Sequence, residues 1–358
     1  MAQTEERVLM KGNEVLAEAA MRAGCRYFFG YPITPQNEIP EYMSRRMPES
    51  GGVFVQAESE VAAINMVYGA AAIGERAMTS SSSPGISLKQ EGITYIAGAE
   101  LPVVIVNMMR GGPGLGSIAP AQSDYFQATR GGGNGDYRTV VLAPATIQEM
   151  TDLTQEAFDI ADLYRIPVLI LADGMIGQMM EAVEWKKPKS RKLPKKDWAT
   201  SGTKNAREHN IINSLFIDPK DCTEHNKKLQ QKHDRITQNE IRFEETTVDD
   251  AEVLFVAYGT TARICQAAAQ KLREAGVKAG VFRPISLWPY PEQALYACAN
   301  RGSVKAVVCA EMSMGQMIDD VKISLSGSKP VSFFGTGGGT FPTPTELMQA
   351  AQDALKGV

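Results

Sequence analysis

Two carboxylates, Glu58 and Glu60, stand at the start of a helix-like run that is otherwise Ala, Val, Ile and Met, in VFVQAESEVAAINMVYGAA, residues 53–71. A nearly apolar helix is normally buried, and burying a carboxylate without a partner is costly. A carboxylate kept there is suited to accept a hydrogen bond from a ligand or to hold a proton for one. Arg110 follows a continuous apolar run, Leu101–Met109, and a guanidinium grips a carboxylate by paired hydrogen bonds. Thr34 sits between two prolines in Tyr31-Pro32-Ile33-Thr34-Pro35, a frame that makes its hydroxyl rigid. Four serines, Ser80–Ser83, precede Pro84-Gly85. RGGPGLGS, residues 110–117, resembles a phosphate-binding loop but fits neither GxxxxGK[ST] nor GxGxxG followed by a helix. Each feature alone has a plainer explanation: a rigid turn, a helix cap, a structural arginine, or for Glu58 a charge facing the helix dipole. Together they offer a carboxylate, a hydroxyl and a guanidinium with no His or Cys among them. Such a set does little nucleophilic work unaided, so a cofactor that carries the difficult chemistry is expected.

These residues all follow strand-like runs. Tyr27–Gly30, Val53–Gln56, Arg76–Ser80 and Leu101–Met109 alternate with helical patterns, and strands at Thr139–Ala143 and Val168–Ala172 continue the series. Strands alternating with helices predict a parallel sheet, and ligands of an open parallel sheet sit beyond the carboxyl ends of its strands. A second α/β series begins near Asp249 with the buried run AEVLFVAY. Between the two lies a polar stretch whose opening, WKKPKSRKLPKKDW, has seven basic residues among positions 186–196. That opening reads as a solvated linker rather than an anion-binding patch, and residues 205–245 read as a long connection with some helix, packed on the surface. The predicted fold class is α/β: two parallel-sheet domains, residues 1–184 and 248–358, joined by a long polar linker over 185–247.

With 358 residues and a net charge of -4, there is no global electrostatic case for nucleic acid or membrane binding. No apolar run reaches the ~18–20 residues of a membrane span, and MAQTEERVLMKG lacks the pattern of a signal peptide. A cytoplasmic location is the expectation. The five cysteines form no CxxC pair, which argues against a zinc site or iron–sulfur cluster held by this chain. The three histidines, His209, His225 and His233, lie in the polar stretch and are expected at the surface.

GYPITPQNEIPEY, the QAESE helix start, SSSSPGISL and the arginine after VVIVNMM resemble the α-type subunit of 2-oxoacid:ferredoxin oxidoreductases. The resemblance extends through AYGTTAR, FRPISLWPYP and EMSMGQM to essentially the whole chain, and is nearest to the 2-oxoisovalerate (3-methyl-2-oxobutanoate) branch. It implies that the first domain is a thiamine diphosphate pyrimidine-binding domain and the second is transketolase C-terminal-like. In that family a helix glutamate bonds the aminopyrimidine ring nitrogen and activates the cofactor. A glycine follows nine residues later, which selects Glu60 (with Gly69) over Glu58 (with Val67). The same carry-over gives Thr34 and Arg110 to the substrate, with Arg110 on the 2-oxoacid carboxylate, and Tyr31 and Pro32 to the cofactor. For Asp124 and Arg130 an ion pair that shapes the loop and a role in the cleft both stay open.

The family's diphosphate-binding sequence, GDG followed by an asparagine, is missing; the chain has Ala172-Asp173-Gly174 and Asn134-Gly135-Asp136 instead. No metal site is therefore expected here. The resemblance implies that thiamine diphosphate is shared with a partner: a diphosphate-binding β-type subunit holding Mg2+, with γ-type and ferredoxin-like iron–sulfur subunits completing the complex and homodimer contacts besides. The implied reaction is oxidative decarboxylation of a 2-oxoacid with coenzyme A and ferredoxin, giving acyl-CoA, CO2 and reduced ferredoxin. Three alternatives remain: 2-oxoglutarate as substrate, a non-catalytic assembly subunit, and a two-domain nucleotide-binding protein.

Overall fold

The computed structural model describes residues 7–186 and 191–358; residues 1–6 of the amino-terminal stretch and 187–190 of the basic stretch lie outside them. In chain order the elements are β1 Val8–Lys11, α1 Gly12–Arg22, β2 Tyr27–Gly30, α2 Glu38–Glu49, β3 Val53–Gln56, α3 Glu60–Ala72, β4 Ala77–Ser81, α4 Ser83–Gly98, β5 Val103–Met109, α5 Tyr125–Thr129, β6 Val140–Leu142, α6 Ile147–Tyr164 and β7 Pro167–Asp173. Next come α7 Gly174–Gln178, β8 Met180–Val183 and α8 Pro219–Asn239. The rest of the chain forms β9 Phe243–Thr246, β10 Val253–Val256, α9 Gly259–Glu274, β11 Ala279–Pro284, β12 Ser286–Trp288, α10 Glu292–Ala299, β13 Ala306–Glu311, α11 Met317–Leu325, β14 Val331–Gly335 and α12 Pro344–Lys356.

Two α/β sheets result. The first has the order β12-β6-β7-β5-β4-β2-β3 and is parallel except for β12; the second runs β14-β13-β10-β11-β9 and is parallel except for β9. Every residue of β5 and β7 is buried, as expected of central parallel strands covered on both faces. One hydrophobic core lies outside the first sheet, a second outside the second sheet, and a third is continuous between them, from Ile64 and Ile105 to Leu254 and Phe282. The two sheets thus share a core rather than touching across a wet gap.

Polar side chains fix their alignment. Gln122 donates to the Tyr258 carbonyl (2.9 Å) and accepts from Thr261 Oγ1 (2.7 Å) and from the Met312 amide (3.1 Å). Asp173 caps α7 and accepts from Thr260 Oγ1 (2.9 Å); burial raises its carboxyl pKa, and these hydrogen bonds oppose that rise. Glu311, in the EMSMGQM stretch, accepts from the amides of Gln316, Met317 and Ile318 and so caps α11.

The polar stretch holds more order than its composition suggests. α8 buries Leu229, Lys232, His233 and Ile236, a helical stripe in an otherwise polar sequence. Lys232 pairs with Glu100 (2.7 Å) and donates to the Arg165 carbonyl (2.9 Å). His233 is 5% exposed and meets the Trp288 ring edge-on at 5.6 Å, so the expectation of a surface histidine is wrong there. Burial, helped by Lys232 and Arg138, lowers its pKa to about 4. β9 joins the second sheet, and β12 returns to pair with β6 of the first. Among the described residues no helix is long and apolar enough to cross a membrane.

Candidate active site

The site is built where strands β2 to β5 end. Past β3, Glu58 is exposed, whereas Glu60, the first residue of α3, is 6% exposed. Ser59 caps the helix by accepting from the Ala62 amide (3.2 Å). The Glu60 carboxylate accepts no hydrogen bond among the described residues. It packs instead on the first turn of α4: a Cβ on Gly85 would lie 2.8 Å from Glu60 Oε1 and 2.1 Å from Ser81 Oγ. Only glycine leaves room for both groups. Ser81 Oγ and Ser82 Oγ are buried without partners, and Ser81 Oγ shares with Glu60 Oε1 the space that Gly85 leaves open. Two turns along, a Cβ on Gly92 would come within 2.4 Å of Ile64 Cγ2. Close packing of α3 on α4 therefore holds Glu60 in place.

Beyond β2, Ser80 Oγ donates to Gln36 Oε1 (2.5 Å) and Gln36 Nε2 donates to the Tyr31 carbonyl (3.3 Å), bracing the proline turn. Thr34 Oγ1 accepts from Asn37 Nδ2 (3.4 Å), which leaves its own proton free to donate. Tyr31 is half-buried and Pro32 exposed along this turn.

At the end of β5, Arg110 is 8% exposed and forms no ion pair among the described residues. Its guanidinium donates to the carbonyls of Thr34 and Leu115, both at 3.0 Å, and its buried Nε has no partner. Two of five N–H donors are thus spent and the charge is uncompensated. The glycine loop serves this arginine. The Ser117 amide donates to the Gly111 carbonyl (2.8 Å), Gly116 adopts φ +55°, and a Cβ there would lie 1.8 Å from the Gly111 oxygen. The likeness to a phosphate loop comes from a tight lasso that aims the Leu115 carbonyl at Arg110.

Ser83 ties these parts together. Its hydroxyl accepts from the Arg110 amide (3.0 Å) and donates to Asp124 (2.6 Å), which also accepts from Asn107 Nδ2 (2.9 Å). Burial raises the Asp124 carboxyl pKa, against the pull of these two hydrogen bonds. The Asp124–Arg130 ion pair considered from the sequence does not form: Arg130 pairs with Asp320 of α11 at 2.9 Å. Ser83, the loop 112–114 and Asp124 meet Met314, Gln316 and Gly337 of the second domain around a cleft of about 680 Å³.

The residues present fit the aminopyrimidine half of thiamine diphosphate. A buried carboxylate without a partner and the orphaned Ser81 hydroxyl beside it suit a ring that offers hydrogen-bond donors. Among the described residues no group of His, Cys, Asp or Glu could hold a metal ion, and the carboxylate of Asp173 is already occupied.

Asn107 escaped sequence reasoning, which picks out the serine run before Pro84-Gly85 without the separate parts that Ser83 and Gly85 play. Lys89 escaped it too, and its signal was legible: a charged residue at the spacing 85, 89, 92 on the inner face of a helix, the same mismatch that marked Glu60.

The family model described as pyruvate flavodoxin/ferredoxin oxidoreductase, thiamine diphosphate-binding, matches residues 18–245. The model for pyruvate:ferredoxin oxidoreductase core domain II matches residues 251–347. The chain is 49% identical over 345 residues to the ketoisovalerate oxidoreductase subunit VorB of Methanothermobacter thermautotrophicus, covering 96% of this chain and 97% of that protein. It is 40% identical over 344 residues to the 2-oxoglutarate synthase subunit KorA of Archaeoglobus fulgidus, covering 92% and 95%. Among solved structures, the 2-oxoglutarate:ferredoxin oxidoreductase of Magnetococcus marinus, with 2-oxoglutarate, coenzyme A and succinyl-CoA bound, superposes with a TM-score of 0.86 at 26% identity; the alignment covers 98% of this chain and 66% of that one. The shared core, the strand-end site and these matches lead to one conclusion: the chain belongs to the thiamine diphosphate-binding pyruvate flavodoxin/ferredoxin oxidoreductase family, as a 2-oxoacid:ferredoxin oxidoreductase subunit.

Proposed function

We propose that this chain forms the pyrimidine side of a shared thiamine diphosphate site in an enzyme that oxidatively decarboxylates 3-methyl-2-oxobutanoate. One observation carries the reading: a buried carboxylate without a hydrogen-bond donor, Glu60, and a buried guanidinium without a carboxylate, Arg110, flank the first turn of α4. Each lacks the partner that a cofactor ring and a 2-oxoacid would bring.

Thiamine diphosphate, when bound, supplies the carbon that attacks the keto group and the electron sink that accepts the pair left by CO2. Glu60 holds a proton at the ring nitrogen of the aminopyrimidine, and Tyr31 and Pro32 form the adjoining wall. Arg110 offers its free Nε and remaining N–H groups to the substrate carboxylate. Thr34 donates its hydroxyl proton to the same region, from a frame that lets little orientation be lost. One 2-oxoacid and coenzyme A give acyl-CoA, CO2, a proton and two electrons, which reduce two ferredoxins one at a time through iron–sulfur clusters of partner subunits.

The diphosphate and Mg2+ belong, on this reading, to a β-type partner closing over the cleft, with γ-type and iron–sulfur subunits completing the complex. Val61, Leu88, Leu115 and Met314 are exposed apolar side chains around the cleft and on the adjoining face of α3, 44% to 83% accessible, and suit such a cover. Likeness to VorB across almost the whole chain supports a branched-chain substrate, and Ile33 and Leu115 beside Thr34 and Arg110 provide aliphatic contact for it. The complex assayed against a panel of 2-oxoacids tests this. Branched-chain acids should give the highest kcat/KM, within a broad specificity because each methyl group is worth only ~1–3 kcal/mol. A strong preference for 2-oxoglutarate would replace the substrate assignment with the KorA one.

A further inference from the structure

Lys89 lies on the inner face of α4, between Gly85, which abuts the Glu60 carboxylate, and Gly92, which abuts Ile64. Its side chain is wholly buried, with 0% exposure, and makes no ion pair among the described residues. The ammonium has a single long contact, 3.5 Å to the Glu60 carbonyl oxygen at the first turn of α3. Three donors buried for one weak hydrogen bond are an expense that packing does not explain, because methionine would fill the same space.

The charge has one counterpart. From α3, Glu60 lies against it through its carbonyl oxygen, and the Glu60 charge opposes the fall in the Lys89 pKa. On α4 itself, Glu91 accepts from Tyr95 at the surface. From the strands beneath and the segment beside α4, Asp173 is bound to Thr260 and Asp124 to Ser83 and Asn107.

We propose that Lys89 is a positioning residue for Glu60: its ammonium pins the first turn of α3 and places a buried positive charge behind the carboxylate, so that Glu60 meets the cofactor's ring nitrogen in a fixed position. This rests on the assignment of Glu60 made above. Burial pushes the Lys89 pKa down to about 8, against the opposing pull of Glu60. The counter-charge is therefore present at neutral pH and disappears as pH rises through about 8.

The test is Lys89→Met in the assembled complex, with Glu60→Gln as the reference. Wild type should show an alkaline limb in kcat/KM near pH 8, and Lys89→Met should lack it, with kcat at pH 7 lower by about tenfold or more and KM for the 2-oxoacid within about twofold. The near-ultraviolet circular dichroism of bound cofactor, which reports the aminopyrimidine tautomer, should change in the variant without any loss of thermal stability. A purely structural lysine would instead lower the melting temperature and leave both the pH profile and the dichroism unmoved; that result overturns the inference. If Glu60→Gln kills turnover while Lys89→Met keeps a wild-type profile, the inference alone fails. If Glu60→Gln is active, the assignment of Glu60 fails and the inference falls with it.

Discussion

Replacing Lys89 by methionine should make the protein more stable at neutral pH, although it should make the enzyme worse. Methionine is one atom shorter than lysine but close to it in volume, and it brings no charge into the space between α3 and α4. The ammonium is buried with a single 3.5 Å hydrogen bond, and its pKa falls from 10.5 to about 8. At 1.36 kcal/mol per pKa unit, that fall corresponds to roughly 3 kcal/mol of destabilisation from the charged form. Imperfect packing of methionine and loss of the contact to the Glu60 carbonyl take back about 1 kcal/mol, so a net gain of about 2 kcal/mol is expected. The pH dependence follows by linkage. Below pH 8 the lysine is protonated in both folded and unfolded chains, and the full penalty is present. Between pH 8 and 10.5 the unfolded chain binds more protons, so wild type gains stability relative to the variant as pH rises. Above pH 10.5 the lysine is neutral in both states and the advantage of the variant disappears. Urea unfolding of both full-length chains from pH 7 to 10.5 measures the difference directly, because other titrating groups such as Lys232 are common to both. A variant that is less stable at pH 7, or a gap that does not close over this range, refutes the reasoning.

Arg110→Lys keeps a positive charge but loses the fork that spans the Thr34 and Leu115 carbonyls, so KM for the 2-oxoacid should rise about tenfold or more; steady-state kinetics showing an unchanged KM for every active 2-oxoacid would count against the substrate role. Gly85→Ala puts a methyl group where Ser81 Oγ and Glu60 Oε1 now lie, and should cut turnover by displacing the carboxylate while the chain still folds and assembles. Wild-type kcat in that variant would mean that the position of Glu60 is not critical.

The sequence made the architecture of the central strands plain because β5 and β7 are nearly continuous apolar runs, interrupted only by Asn107 and closed by Asp173. Four of the short strands were not legible. β1, β8, β9 and β12 have three or four residues each and, unlike the equally short β2 and β3, lie outside the regular strand–helix alternation; β1 pairs with β8, and β9 and β12 are held at sheet edges, by partners distant in the chain. α2 was hidden by Pro40 and Pro48, at its first and last turns. In the site, Glu60 stood out because a charge interrupts an apolar helix. Arg110 stood out because it ends an apolar strand. Ser83 and Asp124 were visible singly, but their link through Asn107 left no trace, since the three are ordinary polar residues brought together from three elements. Arg130 misled because its partner, Asp320, comes from the other domain.

The central claim is that Glu60 of this chain activates a thiamine diphosphate whose other half is held by a partner. Turnover of the assembled complex carrying Glu60→Gln tests it most directly, since the amide keeps the shape of the side chain but cannot hold the ring-nitrogen proton as an anion. Turnover should fall by about a hundredfold or more with subunit assembly intact. Near-normal turnover in Glu60→Gln, or a comparable loss in Glu58→Gln with Glu60 untouched, would contradict the account.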